Sequence, residues 1–266
     1  MRGWLWRGPM TVALALVLLA LSVAPAVAAP RDPRLQRVDT WAFSIAARQP
    51  VERLAAFDLV VVDGEEVRAV DVRRLRARGV VVLGYLSVGT VERGRSWYRR
   101  ARPHRLELWQ DWGEWYADVS ARGFRRLVAR RVAPALLRKG LDGLFLDNTD
   151  MVEGHPRQRA GMRALVGSLS RLVHRRGGLL FTQNGEGSIG PTLRFYDGWN
   201  REDVSFTYDF ARKRYRPVPP AARSAARRAL RRFARAGLLV TAADYVRAGD
   251  AYYAVNDYVR QHGANC

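Results

Sequence analysis

The sequence predicts a (β/α)8 barrel of the TIM type in which the last strand is missing or incomplete. Short apolar segments alternate with helical segments along most of the chain, which indicates a parallel sheet. Seven strand segments can be identified, and right-handed crossovers between that many parallel strands favour a barrel. An eighth strand would begin about where the 266-residue sequence ends, so an open doubly wound sheet is the alternative fold.

The first 28 residues are predicted to be a secretory signal peptide. Arg2 and Arg7 precede an apolar run over 10–23, and the A-x-A motif at 26–28 has the form of a cleavage site. An uncleaved membrane anchor is the alternative, because the apolar segment is almost long enough to span a bilayer. No cysteine follows the run, which argues against a lipid anchor. We therefore expect a secreted protein without stable membrane insertion.

The rest of the chain is predicted to form a short linker over 29–39 and the barrel over 40–266. The strand segments are rich in aliphatic and β-branched residues and lie at 40–45, 57–62, 80–86, 141–146, 179–182, 195–199 and 238–242. The helical segments lie at 50–56, 67–78, 123–139, 157–176, 219–236 and 250–262, and several end at a glycine. Pro134 is expected to kink or divide the third of these helices.

The fourth strand segment shows where the chemistry is expected. Its apolar run ends abruptly at Asp147, with Asp150 close behind, and a run so short and apolar predicts a strand buried on both faces. Active sites of parallel α/β proteins lie at the carboxyl ends of the strands. Polar residues also follow the other strands: Asp63, Ser87, Gln183, Asn184, Glu202, Asp203 and Asp244. Helix capping and turn formation are the alternative roles of such residues.

A long connection over 90–118 is the second feature that predicts function. It carries the aromatic residues Trp97, Tyr98, Trp109, Trp112, Trp115 and Tyr116. Loops of this length are usually functional, and indole faces suit sugar rings and amino-sugar cations, although core packing is the alternative. Convergent carboxylates beside aromatic residues predict carbohydrate hydrolysis. In that reaction one acid protonates the leaving oxygen, and the other acts as nucleophile or base.

The formal net charge of +20 gives two alternatives for the outer surface. All but two of the 45 basic residues are arginine, and many lie where helix exteriors are predicted, which favours a solvated basic outer ring. Dedicated nucleic-acid binding is the alternative, but no stacking-aromatic module or zinc pattern supports it. The single cysteine, Cys266, cannot form an intrachain disulfide, so the core must provide stability.

No cofactor or metal is predicted. Asp147, Asp150 and His155 match no oxygen-ligand motif, and the histidines pair with no serine or cysteine elbow. The Gly185-Glu186-Gly187 segment lacks the strand–GxGxxG–helix context of a nucleotide loop.

The strand-end motifs FDLVVVD, GYLSVG, GLDGLFLDNTD, TQNGEG, WNREDVSF and TAADY resemble those of the endo-α-1,4-polygalactosaminidase-like glycosidases of glycoside hydrolase family 114. The resemblance covers about 40–245, and GLDGLFLD with a second Asp three residues on is its most specific part. It implies a (β/α)8 barrel and a retaining mechanism with Asp147 as nucleophile and Glu202 as acid/base. The implied function is a secreted endo-glycosidase that hydrolyses a galactosamine-containing polysaccharide.

The resemblance also implies residues that line the cleft and bind sugar: Asp63, Tyr85, Asp150, Asn184, Asp244 and Tyr245. Thr90 departs from the pattern, because relatives often have a glutamate there, whereas Glu92 keeps a second one. Polygalactosamine is cationic, as is this chain, so a locally negative mouth is expected within the positive exterior. We expect a monomer that binds polysaccharide and no nucleic acid. The alternative function is a non-catalytic secreted glycan-binding protein on a decayed barrel.

Overall fold

The structure is a computed structural model that describes residues 30–45 and 48–245. The predicted signal peptide, the predicted last helix over 250–262 and Cys266 lie outside these residues. The strands are β1 (Trp41–Ser44), β2 (Leu59–Asp63), β3 (Val81–Ser87), β4 (Thr90–Val91), β5 (Arg105–Trp109), β6 (Glu114–Ala117), β7 (Gly143–Asp147), β8 (Leu179–Gln183), β9 (Gly198–Glu202), β10 (Phe206–Asp209), β11 (Arg214–Pro217) and β12 (Leu239–Ala243). The α-helices are α1 (Val51–Leu54), α2 (Ala69–Arg76), α3 (Tyr98–Ala101), α4 (Arg122–Leu127), α5 (Ala133–Leu137), α6 (Arg159–His174) and α7 (Pro220–Arg235).

Seven strands form one parallel sheet in the order β1-β2-β3-β7-β8-β9-β12. The sheet curls into a nearly closed barrel, and β1 and β12 leave one unsealed seam between them. The predicted barrel with an incomplete last strand is therefore confirmed. No eighth barrel strand occurs within 30–45 and 48–245.

Alternation along each strand divides the apolar side chains between two cores. One set faces the barrel interior and includes Leu59, Leu83, Phe145 and Phe181. The other set, represented by Val60, lies between the sheet and the surrounding helices. Because the strands are buried on both faces, their sequences are continuous apolar runs and do not alternate between apolar and polar residues.

The segment predicted as a linker, 29–39, contains a 3-10 turn over Leu35–Arg37. Leu35 and Val38 are 1% and 3% exposed and belong to the interior core, together with residues at the starts of the barrel strands such as Leu59. These two side chains therefore fill the amino-terminal end of the barrel.

One predicted helix and one predicted strand differ locally from the sequence pattern. The predicted helix over 123–139 is divided by a π-helical turn, Val128–Val132, directly before the α5 segment that contains Pro134. Proline lacks an N–H group and crowds the preceding turn, which is the reason for the predicted division. The strand predicted at 195–199 instead begins at Gly198, because a 3-10 helix over Gly190–Phe195 fills the preceding connection.

Two insertions extend from the carboxyl ends of the barrel strands. The long aromatic connection after β3 forms an antiparallel sheet in the order β4-β6-β5. The second insertion follows β9 and is the β10–β11 hairpin. Both insertions lie on the side of the barrel where the strand-end polar residues converge, so they shape the mouth.

Candidate active site

The inward face of the barrel sheet carries the polar cluster. Asp147 follows the interior residue Phe145 by two positions on β7, and Gln183 follows Phe181 by two positions on β8. Because side chains alternate along a strand, the same parity that fills the interior with apolar rings places these polar groups over it. The mouth of the barrel is thus a polar layer directly above an apolar core.

The residue after each of three polar strand ends has a left-handed backbone. Asn148 follows Asp147 with φ 58°, Asn184 follows Gln183 with φ 54°, and Asp203 follows Glu202 with φ 55°. Asn and Asp tolerate this conformation better than other non-glycine residues. The sharp turn ends each strand at its polar residue.

Asp147 accepts hydrogen bonds on both carboxylate oxygens. Tyr85 Oη donates to Oδ2 at 2.5 Å, Gln183 Nε2 donates to Oδ1 at 2.6 Å, and the Asn148 backbone N–H donates to Oδ1 at 2.7 Å. Desolvation raises the pKa of Asp147, and these three donors oppose that shift. The side chain is partly exposed at the mouth, so the arrangement holds a carboxylate that a substrate can reach.

Glu202 at the end of β9 is held in a similar way. Tyr245 Oη donates to Oε1 at 2.6 Å, and Asn184 Nδ2 donates to Oε2 at 2.8 Å. Desolvation raises the pKa of Glu202, the negative charge of Asp147 raises it further, and the two donors lower it. Because the charge of Asp147 shifts the pKa of Glu202, the two carboxyl groups lie in the same site.

Gln183 and Asn184 are neighbours in sequence and connect the two acids. Gln183 donates to Asp147, whereas Asn184 donates to Glu202 and accepts the Glu202 backbone N–H through Oδ1 at 3.1 Å. Gln183 is itself held by Asn200 Nδ2, which donates to its Oε1 at 3.2 Å. A single dipeptide at the end of β8 therefore fixes the position of one acid relative to the other.

Asp150 is the third carboxyl group of this site. No other side chain of the described residues donates a hydrogen bond to it. Desolvation raises its pKa to about 7, and the charges of Asp147 and Glu202 contribute to the shift. The carboxyl group of Asp150 therefore retains its proton at a pH where an exposed aspartate is ionised.

A second polar network borders the site next to β2 and β3. Arg95 forms ion pairs at 2.7 Å with both Asp63 and Glu92, and all three side chains are largely buried. Thr90 Oγ1 donates to Glu114 Oε2 at 2.7 Å. Desolvation raises the pKa of Glu92 to about 7 despite the adjacent guanidinium, and it also raises the pKa of Glu114.

Two of the predicted sugar-binding acids also hold the surrounding loops. Asp63 Oδ1 accepts the backbone N–H groups of Glu65 and Glu66 at 2.8 and 3.1 Å, while its other oxygen pairs with a guanidinium. Asp244 Oδ1 accepts the backbone N–H groups at positions 205 and 206, at the start of the β10–β11 hairpin. These two carboxylates therefore position the walls of the mouth.

The structure brings together residues that were proposed as site residues and several that were not, although Gln183, Thr90 and Glu92 were noted in the sequence. Tyr85, Asn184 and Tyr245 contact the two central acids directly. The residues not proposed as site residues are Gln183, Thr90, Glu92, Arg95, Glu114 and Asn200. Strand parity could have identified Gln183 and Asn200, because both lie on inward-facing positions. Arg95 and Glu114 come from the insertion after β3 and have no comparable local signal.

Groups of at least three His, Cys, Asp or Glu side chains that could hold a metal ion are absent from residues 30–45 and 48–245. Within the same ranges no helix combines the length and apolar character needed to cross a membrane.

No curated protein sequence matches the chain. The solved structure of the glycoside hydrolase domain of PelA from Pseudomonas aeruginosa, in a variant with one glutamate replaced by alanine, is similar with a TM-score of 0.75 and 25% identity, over 85% of this chain and 92% of that chain.

Two further structures share the fold. Aspergillus fumigatus Ega3 in complex with galactosamine is similar with a TM-score of 0.62 and 18% identity, over 78% of this chain and 77% of that chain. An α-galactosidase from Thermus thermophilus is similar with a TM-score of 0.57 and 15% identity, over 86% of this chain and 57% of that chain. Residues 22–265 match the model of the glycoside-hydrolase family GH114. The chain is therefore a glycoside hydrolase and belongs to family GH114.

Proposed function

We propose that this protein is a secreted endo-glycosidase that hydrolyses a galactosamine-containing polysaccharide with retention of configuration. Asp147 is the nucleophile and Glu202 is the acid/base. The observation that carries the proposal is that the adjacent residues Gln183 and Asn184 each hold one of the two carboxylates. Hydrolysis of a glycosidic bond needs two acids at a fixed separation, and this dipeptide supplies a rigid common support.

The hydrogen bonds favour different roles for the two acids. Asp147 receives donors from Tyr85, Gln183 and the Asn148 backbone, which stabilise the ionised form that a nucleophile requires. Desolvation raises the pKa of both acids, but Glu202 receives only two side-chain donors, and the charges of Asp147 and Asp203 raise its pKa further. With fewer donors to stabilise its ionised form, Glu202 is better suited to carry the proton that the leaving oxygen takes.

The charge distribution at the mouth supports an amino-sugar substrate. The carboxyl groups of the two networks and the adjacent strand ends belong to Asp63, Glu92, Glu114, Asp147, Asp150, Glu202, Asp203 and Asp244. Of the cations near these groups, Arg95 pairs with Asp63 and Glu92, whereas Arg201 pairs with Glu186, and Arg201 and Arg216 act on Asp203. These cations are fewer than the carboxyl groups. The mouth is thus locally acidic although the chain has a formal net charge of +20. A protonated amino group fits such a site, and galactosamine is the ligand in the Ega3 structure.

The direct test is hydrolysis of purified galactosamine polymers, deacetylated and acetylated, with products measured by mass spectrometry. We expect internal cleavage into oligomers by the unmodified protein and none by Asp147→Asn or Glu202→Gln. Asp39→Asn, which changes an exposed aspartate outside the mouth, is the control and should retain activity. Circular dichroism and thermal unfolding check that the inactive variants are folded. Full activity of Asp147→Asn would refute the assignment of the nucleophile.

Retention and secretion have separate tests. Proton NMR of the first products distinguishes retention from inversion, because the anomer formed first reports whether a covalent intermediate was used. Retention corresponds to a carboxyl separation of about 5–5.5 Å, whereas inversion requires about 6.5–9.5 Å. Secretion predicts a mature protein in the medium whose amino terminus follows residue 28. Initial formation of the inverted anomer would overturn the nucleophile role of Asp147 while leaving the hydrolase function intact.

A further inference from the structure

An unbroken row of aromatic rings connects the two insertions at the mouth. We call it the aromatic arc, and in spatial order it consists of Tyr116, Trp109, Trp112, Phe210, Tyr208 and Tyr215. Neighbouring ring centroids along the arc are 5.3, 6.2, 5.3, 5.1 and 5.1 Å apart. The arc is therefore longer than a single sugar ring.

The arc crosses the rim of the mouth. One insertion follows β3 and the other follows β9, and β7 and β8 lie between these strands in the sheet. Trp112 belongs to the first insertion and Phe210 to the second, so their edge-to-face contact joins the two insertions. Rings thus extend from one side of the strand ends that carry Asp147 and Gln183 to the other.

Both parts of the arc belong to segments that adjoin the acids of the candidate site in sequence, and the charge of Asp150 acts on Tyr116. Tyr116 packs on the ring of His155, 4.3 Å between centroids, in the segment that follows Asp150. On the other side, the β10–β11 hairpin starts four residues after Glu202. A chain that extends out of the mouth would therefore meet these rings next.

Three of the six rings of the arc are exposed, and they are among the few exposed large apolar side chains of the described residues. Five large apolar side chains are classed as exposed: Phe43, Leu108, Trp112, Phe210 and Tyr215. Four of these belong to the two insertions, and Trp112 is 50% exposed. Burial in the core explains none of these positions. Clustered exposed aromatic residues usually mark a binding surface.

The ring geometry favours a sugar chain as the ligand. Except for the stacked pair Trp109 and Tyr116, the contacts along the arc are edge-to-face, so each contact covers one face of one ring only. Trp112, Phe210 and Tyr215 therefore keep accessible ring surface. Sugar rings pack their C–H faces on such surfaces, and ammonium groups are attracted to the same faces. The exposed rings of the arc therefore suit a linear sugar polymer.

We propose that the aromatic arc is a polysaccharide-binding surface that holds the substrate chain beyond the catalytic carboxylates. The inference rests on the proposed function and adds a remote binding site to it. Its consequence is that hydrolysis depends on chain length. A long chain contacts both the acids and the arc, whereas a short oligomer reaches the acids alone, so the arc contributes to kcat/KM for long chains only.

The double variant Trp112→Ala/Phe210→Ala tests this proposal. We expect kcat/KM on a long deacetylated galactosamine polymer to fall about tenfold to thirtyfold, mainly through KM, because two exposed ring contacts are lost. On the shortest oligomer that the unmodified protein cleaves, kcat/KM should remain unchanged. Leu108→Ala is the matched control, because it truncates an exposed apolar side chain of the same insertion outside the arc. It should leave both values unchanged.

A binding measurement separates this inference from the proposed function. Affinity electrophoresis in gels containing the polymer is run on Asp147→Asn, with and without the double substitution. Retardation that is lost with the double substitution supports the arc, whether or not the polymer is cleaved. Failure of the unmodified protein to cleave any galactosamine polymer would refute the proposed function alone. Three results would contradict a binding role of the arc. The first is equal retardation with and without the double substitution, and the second is an equal loss of kcat/KM on long and short substrates. The third is a change in oligomeric state caused by the double substitution.

Discussion

Replacing Asp150 with asparagine tests the electrostatics of the mouth. Asp150 lies beside Asp147 and Glu202, and its pKa is raised to about 7 from an ordinary value of 3.8, first by desolvation and then by the neighbouring charges. The folded protein therefore binds a proton at Asp150 over a pH range in which the unfolded chain does not. By linkage, Asp150 makes the folded state less stable as pH rises through this range.

The size of the effect follows from the two pKa values. Near pH 5 the unfolded aspartate is ionised and the folded one is protonated, a difference of about one proton that falls to about half a proton at pH 7. The slope is therefore about 1.4 kcal/mol per pH unit near pH 5 and decreases above pH 6, so the free energy of unfolding falls by about 2 kcal/mol between pH 5 and pH 7 and by about 3 kcal/mol between pH 5 and pH 8. Asparagine has no proton to lose. The Asp150→Asn variant should therefore gain about 3 kcal/mol relative to the unmodified protein between pH 5 and pH 8.

The assay is thermal unfolding of both proteins at several pH values from 5 to 8. For a domain of this size, about 3 kcal/mol corresponds to a relative increase in Tm on the order of 6–12 °C. Asp39→Asn removes an exposed carboxylate outside the mouth and controls for the change in net charge. Its Tm difference from the unmodified protein should remain constant across the range. Parallel Tm curves for Asp150→Asn and the unmodified protein would refute the reasoning, since they would mean that Asp150 ionises equally in both states.

Three further substitutions test separate parts of the structure. Arg95→Met removes the cation that pairs with the largely buried carboxylates of Asp63 and Glu92. We expect the free energy of unfolding, measured by chemical denaturation, to fall by about 3–5 kcal/mol, and the loss to increase with pH. Tyr245→Phe removes the 2.6 Å donor to Glu202, which raises the pKa of that acid, so the alkaline limb of the kcat profile should move upward by about one pH unit. An unchanged limb would contradict the acid role. Gly143→Ala would place a Cβ 1.9 Å from the Leu179 carbonyl oxygen on the neighbouring strand, and we expect a loss of about 3 kcal/mol or failure to fold.

The sequence predicted the barrel because its signals are local. The seven apolar runs and the helices between them are properties of adjacent residues, and they correspond to the observed parallel strands with shifts of a few positions. The largest shift is at β9, where a 3-10 helix replaced the expected first residues of the strand. The unsealed seam between β1 and β12 agrees with the seven strand segments that were counted within the part of the sequence that the structure describes.

The contents of the insertions were less predictable. The connection over 90–118 was expected to be functional and aromatic, but nothing in its pattern indicated the β4-β6-β5 sheet. The β10–β11 hairpin was not predicted at all. Both depend on antiparallel pairing over short, partly polar strands, for which local propensity is a weak guide.

By itself, the sequence determined which residues lie at the carboxyl ends of the strands, and so which of them could meet at the mouth. Tertiary structure decided what each of them contacts. Gln183 and Asn184 are one dipeptide in sequence, but the turn between them sends one side chain to Asp147 and the other to Glu202. Arg95 reaches the site from an insertion. Contacts between residues distant in the chain depend on loop paths and barrel curvature, which no local pattern encodes.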